Sequence, residues 1–320
     1  MIFEFTTVDN NIITRKDCLS ARLICNVELN ADKLTAVFKG GDIGQEYKLV
    51  RVYLDEKIIF TGVVDVIKTK VNKNGIYETI ECRSLMAYLL DNHLQPQNIQ
   101  NITDRIIYER YLKPYGIKIN AISNKPYYGA ICIGKGVNIY KVISEYSKRI
   151  FNSVPRINHN GVAILNGDMN NGNFYFTNGT NSLKDNIYYF TDAQIENRRL
   201  NVISKVYVHN DNTENGYSLI INNNQSINRD IQCVRYLDAT ASGNCTYDAN
   251  TMINKSNEQS MLITVKCCCF VYNPLGANAV VNICGKEYKN LIVKEAEYIF
   301  DENGITSTIV MNEREKKDVG

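Results

Sequence analysis

Residues Gly129–Gly136, GAICIGKG, carry the two glycines and the lysine of a phosphate-binding loop, ahead of a segment with helical spacing from Ile139. A helix start there would offer backbone amides to an anion. Gly136, however, stands where such a loop needs the Ser or Thr that holds magnesium, and the preceding NKPYY is not a buried strand. The residues therefore predict a flexible lead-in to a helix and no nucleotide site.

Cys267-Cys268-Cys269 has the composition of a metal cluster but not the geometry. On an extended strand Cys267 and Cys269 point with Ile263, Val265 and Val271, while Cys268 points with Thr264 and Phe270. Neighbours on opposite faces cannot share a tetrahedral zinc, and no Cys-x-x-Cys or close His pair completes a site, so core packing is expected. His93, His159 and His209 lie far apart in the chain and read as surface residues with no thiol partner for nucleophilic catalysis. Glu295 and Glu297 share a strand face about 7 Å apart, a spacing usable in glycoside hydrolysis, but a solvated or interface face accounts for them. The sequence thus predicts no catalytic, cofactor-binding or metal-ligating residues, no cofactor and no enzymatic activity.

The elements that would have to position such residues are mainly strands. Glu46–Cys82 reads as a meander: Tyr47–Leu54, the Asp55-Glu56 connection, a long strand Ile58–Val71, and a reversal at Asn74-Gly75. At ~3.3 Å per residue the middle strand would exceed about 40 Å unbroken, so Gly62 is expected to bend it or mark a bulge. Before it come Phe3–Val8 and an alternating strand on which Leu19, Ala21, Leu23, Cys25, Val27 and Leu29 face inward, giving about five strands by residue 82.

Ser84 is the expected cap of a helix Leu85–Leu90, Thr103 of one running to Tyr111 and ended by Pro114 and Gly116, and Asn138 of one over Ile139–Phe151. Val142, Ile143, Tyr146 and Ile150 form one face of the last, and Val162–Leu165 is a small strand. From Ile187 strand patterns return at Val202–Val208, Tyr217–Ile221, Met261–Tyr272, Val280–Ile283, Leu291–Phe300 and Ile305–Met311, joined by Asn-rich loops. The closing hairpin LIVKEAEYIFDENGITSTIV repeats the opening design, with Asn303-Gly304 standing where Asn74-Gly75 stood. The predicted fold is mainly β with an α/β insertion. It comprises a first tube-like antiparallel β-barrel (1–97), the insertion (98–185) and a second, related barrel (186–320).

Composition excludes several classes. The 320 residues are 44% hydrophobic and 22% charged with net charge +2, which argues against disorder and against a nucleic-acid binder. No run approaches the ~20 apolar residues of a membrane span, and MIFEFTTVDNN lacks the basic and apolar regions of a secretion signal. Folding in a cytoplasm with ten reduced, packed cysteines and no disulfides is the expectation.

In their order, VYLDEKIIFTGVVDVI, ETIECRSLMAYLLDNHLQPQ, DRIIYERYLKPYGI and the closing LIVKEAEYIFDENGITSTIVM resemble the central baseplate hub proteins of contractile phage tails and phage-tail-like bacteriocins, the late control protein D and XkdQ-like family. The resemblance implies a structural homotrimer whose two barrels per chain give a pseudo-sixfold ring joining a hexameric tail tube to the central spike. Its implied partners are the tail tube protein, spike protein, baseplate wedge proteins and tape-measure protein, without membrane insertion. Nucleic acid would only pass through the channel. The implied location is the virion tail baseplate or a phage-tail-like particle, assembled in the host bacterial cytoplasm. Since the chain runs only to NEREKKDVG after Met311, spike and hydrolase are expected on separate polypeptides. The alternatives are a tail-associated peptidoglycan hydrolase, or the hub portion of a non-contractile tail or secretion-system spike.

Overall fold

Seven strands occupy the first 84 residues of the computed structural model: β1 (Ile2–Thr7), β2 (Ile12–Arg15), β3 (Cys18–Asn26), β4 (Lys33–Lys39), β5 (Tyr47–Leu54), β6 (Lys57–Asn72) and β7 (Gly75–Ser84). The structure describes residues 1–27, 31–41, 43–167, 172–179, 186–209, 216–227, 230–238 and 245–313. It is 51% strand and 18% helix and includes a closed six-stranded barrel. Two compact units share it: Met1–Asn171 with Cys268–Gly276 and Glu295–Ser307, and Gly172–Cys267 with Ala277–Lys294 and Thr308–Gly320.

In the first unit the strands run in the order β3-β4-β7-β6-β5-β1-β2. In a flat sheet β4 and β1 would lie about 19 Å apart. Instead the rings of Phe3 on β1 and Phe38 on β4 meet edge to face with centroids 4.9 Å apart, and Phe5 packs on both Phe38 and Tyr47. The sheet therefore curls around an aromatic core. Two strands, β2 and β4, were missed by the sequence reading; the predicted position Leu29 lies outside the described residues.

Gly62 is needed, but not for the bend expected of it. The register of β6 against β7 slips between Val64 and Val66, which places the bulge at Asp65. A Cβ at Gly62 would instead lie 2.2 Å from the backbone oxygen of Arg83 and 2.6 Å from the Phe60 ring. Gly62→Ala must push β6 away from β7 and is expected to destabilise the first unit by about 1–3 kcal/mol, within the range for overpacking. Amide exchange along β7 checks this; unchanged protection there would contradict it.

The insertion packs on this unit. It comprises α1 (Met86–Asp91), β8 (Gln97–Gln100), α2 (Asp104–Ile107), β9 (Lys118–Ile119), β10 (Ala130–Ile133), α3 (Ile139–Phe151), β11 (Arg156–Ile157) and β12 (Val162–Ile164). Its core joins Val63, Leu85, Met86 and Leu89 to Ile107, Leu112, Val142, Ile143 and Tyr146. Thr103 and Asn138 cap as expected, accepting from the amides of Ile106 and Lys141. The first of these helices passes through a π turn and a 3₁₀ turn before Gly116 ends it in the left-handed region. Ser84 does not cap α1, whose N-cap residue is Leu85; its hydroxyl accepts from the Asp32 amide instead.

The second unit contains β13 (Asn173–Thr177), β14 (Ile187–Asn197), β15 (Lys205–Val208), β16 (Leu219–Asn222), α4 (Asn224–Ile227), β17 (Val234–Leu237), α5 (Cys245–Glu258), β18 (Met261–Cys267) and β19 (Asn278–Ile283). The closing hairpin, β20 (Lys286–Asp301) and β21 (Gly304–Glu313), contributes residues to both units. The ring β19-β13-β14-β18-β21-β20 closes on itself through the β19–β20 pairing. In the chain between β14 and β18 lies a small α/β layer with β15 flanked by β16 and β17; β15 and β16 fall on the predicted strands Val202–Val208 and Tyr217–Ile221, whereas β17, α4 and α5 fall where loops were expected. Its core of Val206, Val208, Ala249 and Ile253 joins that sheet to α5.

Candidate assembly surfaces

The first surface depends on a seam. Arg15, at the end of β2, donates to the carbonyls of Lys39 at 3.4 Å and Gly40 at 3.2 Å, just past β4. It also pairs with Glu78 on β7 and Asp17, and its guanidinium lies 4.4 Å from the Phe38 ring centroid. Arg15 and Glu78 are both buried. The guanidinium holds the Asp17 carboxyl below its usual range. Gly41 completes the arrangement: at φ +133° a Cβ would fall 2.2 Å from the Glu78 carboxylate. The open edge of the curled sheet is thus joined by a side chain where the second unit uses a backbone ladder.

The second surface is the arm formed by β6 and β7. Pairing with β5 stops at Val63, whereas pairing with β7 continues to Asn72 and Gly75. Beyond Val63, β6 therefore presents its other backbone edge without a strand partner among the described residues. Val66 and Val71 on this stretch are 38% and 64% exposed. Lys68 is bound to Glu81 across the two strands of the arm.

The closing hairpin has the same build. Both hairpins join a strand of 16 residues to one of 10 residues. In each turn the side-chain oxygen of the residue before the loop, Asn72 or Asp301, accepts the amide two residues on at 2.8 Å. A glycine with strongly positive φ then starts the return strand: Gly75 at 121°, Gly304 at 107°. The difference lies in the tip. Glu295–Phe300 pairs with β3 over Asn26–Ala21, and Ala296, Tyr298 and Phe300 are buried. Inward positions on β20 change phase between Val293 and Ala296, where the strand passes from one unit to the other.

That change decides the fate of the two glutamates. Glu295 accepts from the Asn26 side-chain amide and Glu297 pairs with Arg22, so both are tied to β3 instead of converging in a cleft. Gly129–Gly136 is not the expected flexible lead-in: Ala130–Ile133 pairs with β8, and Ile131 and Ile133 are buried. The cysteine run follows strand alternation only to Cys267, which is buried. The chain leaves the strand there, and Cys268 and Cys269 are exposed, as are Cys132 and Cys284. All ten thiols are free, but packing is not their common role. No three His, Cys, Asp or Glu side chains are grouped to hold a metal ion among the described residues, and no described helix is long and apolar enough to span a membrane.

A cleft with about 60 Å³ of room for water lies between the first sheet and the insertion. Arg156 there binds Asp32 at 2.6 Å and the Asn26 carbonyl, tying β11 to the turn before β4. Burial pushes the Asp32 carboxyl up, against the pull of Arg156, and raises the Cys25 thiol well above its ordinary value. His93 is exposed, and His209 stacks edge-on to Tyr217. His159 is half-buried in this cleft, not on the surface, with Nε2 2.8 Å from the Tyr272 hydroxyl.

Burial lowers the His159 pKa below the ordinary 6.5. The unfolded chain then takes the proton first as pH falls, so stability present above about pH 6.5 declines below it until the folded-state pKa is passed. His159→Gln is expected to flatten this part of the stability curve, measured by denaturant midpoints from neutral to mildly acidic pH. Parallel curves for the two proteins would contradict it.

The fold is similar to those of phage tail proteins and of a type VI secretion component. A 43 kDa tail protein of prophage MuSo2 from Shewanella oneidensis superposes with TM-score 0.74 at 13% identity, over 98% of this chain and 98% of that one. A tail protein from Neisseria meningitidis MC58 gives TM-score 0.71 at 12% identity, over 97% and 96%. The E. coli type VI secretion component c3393, described as similar to T4 tail proteins gp27 and gp5, gives TM-score 0.56 at 10% identity, over 94% and 74%. No protein-family model matches the sequence, and no curated protein does.

Proposed function

We propose that this chain is a non-catalytic hub of a tail baseplate, of which three copies form a pseudo-sixfold ring between the tail tube and the central spike. The observation that carries the reading is the pair of hairpins with equal strand lengths and the same turn, one with its tip edge paired to β3 and the other with its edge open. In the next copy, β14 sits beside β18 as β3 sits beside β4, and β13 pairs only its Ile187–Tyr189 end. The open edge of β6 adds to β14 of that copy, which repeats the β20–β3 pairing and closes a ring of three chains.

On this reading the expected division into tube modules 1–97 and 186–320 with insertion 98–185 is kept except that β13 (Asn173–Thr177) joins the second module and α1 the insertion, with wedge and tape-measure proteins as further partners in a contractile particle. Coverage of nearly the whole MuSo2 and Neisseria tail proteins supports a tail over a secretion spike, since c3393 is matched over only 74% of its length. Light scattering tests the assembly: a particle of three 36.4 kDa chains, seen as a pored ring by negative-stain microscopy, is expected. A monomer at micromolar concentration would overturn the reading. Incubation with peptidoglycan or nucleotide triphosphates is expected to give no turnover.

A further inference from the structure

We propose that the outer face of the β15–β16–β17 sheet is a binding site for a neutral glycan, with Tyr207 and Tyr236 as the stacking platform and Asn222 and Gln232 as hydrogen-bonding groups. Strand alternation sets the face. Val206 and Val208 turn toward α5, so Lys205 and Tyr207 turn away from it. Register places Asn222 and Val234 beside Lys205, and Ile220 and Tyr236 beside Tyr207.

The tyrosine rings are stacked with centroids 5.2 Å apart at 17°, and Tyr217 meets Tyr236 edge-on at 5.2 Å. Tyr236 nevertheless remains 63% exposed. Three aromatic side chains fixed by one another on an open sheet are preorganised, because they lose little further freedom on binding. Beside them runs a groove of about 630 Å³ lined by Lys205, Tyr207, Asn222, Asp230 and Gln232. This volume lies within the range of small-ligand sites.

The lining chemistry selects the ligand class. Lys205 and Asp230 offset each other in charge, and the remaining polar groups are amides and hydroxyls. A nucleic-acid strand draws most of its affinity from cations facing phosphates, which this groove does not supply. An apolar peptide helix would leave the amides unpaired. Pyranose rings satisfy both features, setting polarised C–H groups on the negative faces of the tyrosines and hydroxyls against Asn222 and Gln232.

The test uses the full chain with chitotetraose and maltotetraose as neutral probes, read by saturation-transfer NMR and calorimetry, and with oligothymidine as the competing class. At least one saccharide is expected to bind with a Kd of about 1 mM or tighter. Tyr236→Ala and Asn222→Ala, both at exposed positions, should each weaken it about tenfold with thermal unfolding unchanged, and added salt should have no effect. The proposal is overturned if neither saccharide binds, if binding survives both substitutions, or if oligothymidine alone binds.

Discussion

Arg15→Ala is expected to destabilise the first unit by about 3–5 kcal/mol, the cost of leaving a buried charge without its partner. Glu78, which is 1% exposed and lies close to Gly41, would lose the cation that pairs with it. The carbonyls of Lys39 and Gly40 would lose their donor at the same time. Because the chain has two units, a single unfolding midpoint would average them; amide exchange in β2 and after β4 isolates the seam. A second variant separates charge from packing. Replacing both partners, Arg15→Met with Glu78→Met, should recover most of the loss, since a buried ion pair and an apolar pair of similar volume differ little. If the single substitution left β2 as protected as before, the seam would have no part in holding the barrel.

Shortening the arm by its outer part should leave the barrel folded and weaken trimer formation without abolishing it, because Val64–Thr69 keep their open edge. Thr69 and Glu78 are paired across β6 and β7, so replacing Lys70–Tyr77 by Asn-Gly joins them with a tight two-residue turn. The cut spares Glu78 and gives up the Tyr77–Lys39 pairing with β4 and the hydrogen bond from the Gly40 amide to the Ile76 carbonyl. Light scattering over a dilution series is expected to show the shortened protein falling from three chains to one at higher concentration than the parent, and tail-assembly complementation should drop. Shortening the Asp301–Gly304 turn should act differently. That tip is already paired with β3, so the change should unsettle the fold of the first unit before it affects association. Trimers that resist dilution as well as the parent's would mean that the chains meet through another surface.

Much of this was legible from local pattern. Both Asn-Gly hairpins, the caps at Thr103 and Asn138 and the buried face of α3 follow from one stretch of chain, because turn chemistry, capping and side-chain period act over a few residues. Of the α/β layer between β14 and β18, β15 and β16 were legible as strands, but β17 and the helices were not. Its helix α5 buries only Ala249, Ile253 and Ser256, too few apolar positions to mark a helical face among Asn-rich neighbours. With the helix unseen, the tyrosines of β15 and β17 had no reason to be placed on an open face.

The sequence by itself determined that the chain is mainly β, that the hairpin design occurs twice, and that its candidate enzyme motifs each lack a required partner. Only the tertiary structure decided what each copy of the hairpin does. The phase change on β20 between Val293 and Ala296, and the side-chain seam at Arg15, depend on which strands meet. A strand's alternation records that one face is buried; it does not record which neighbour buries it or whether its edge is paired, because those are set by residues hundreds of positions away.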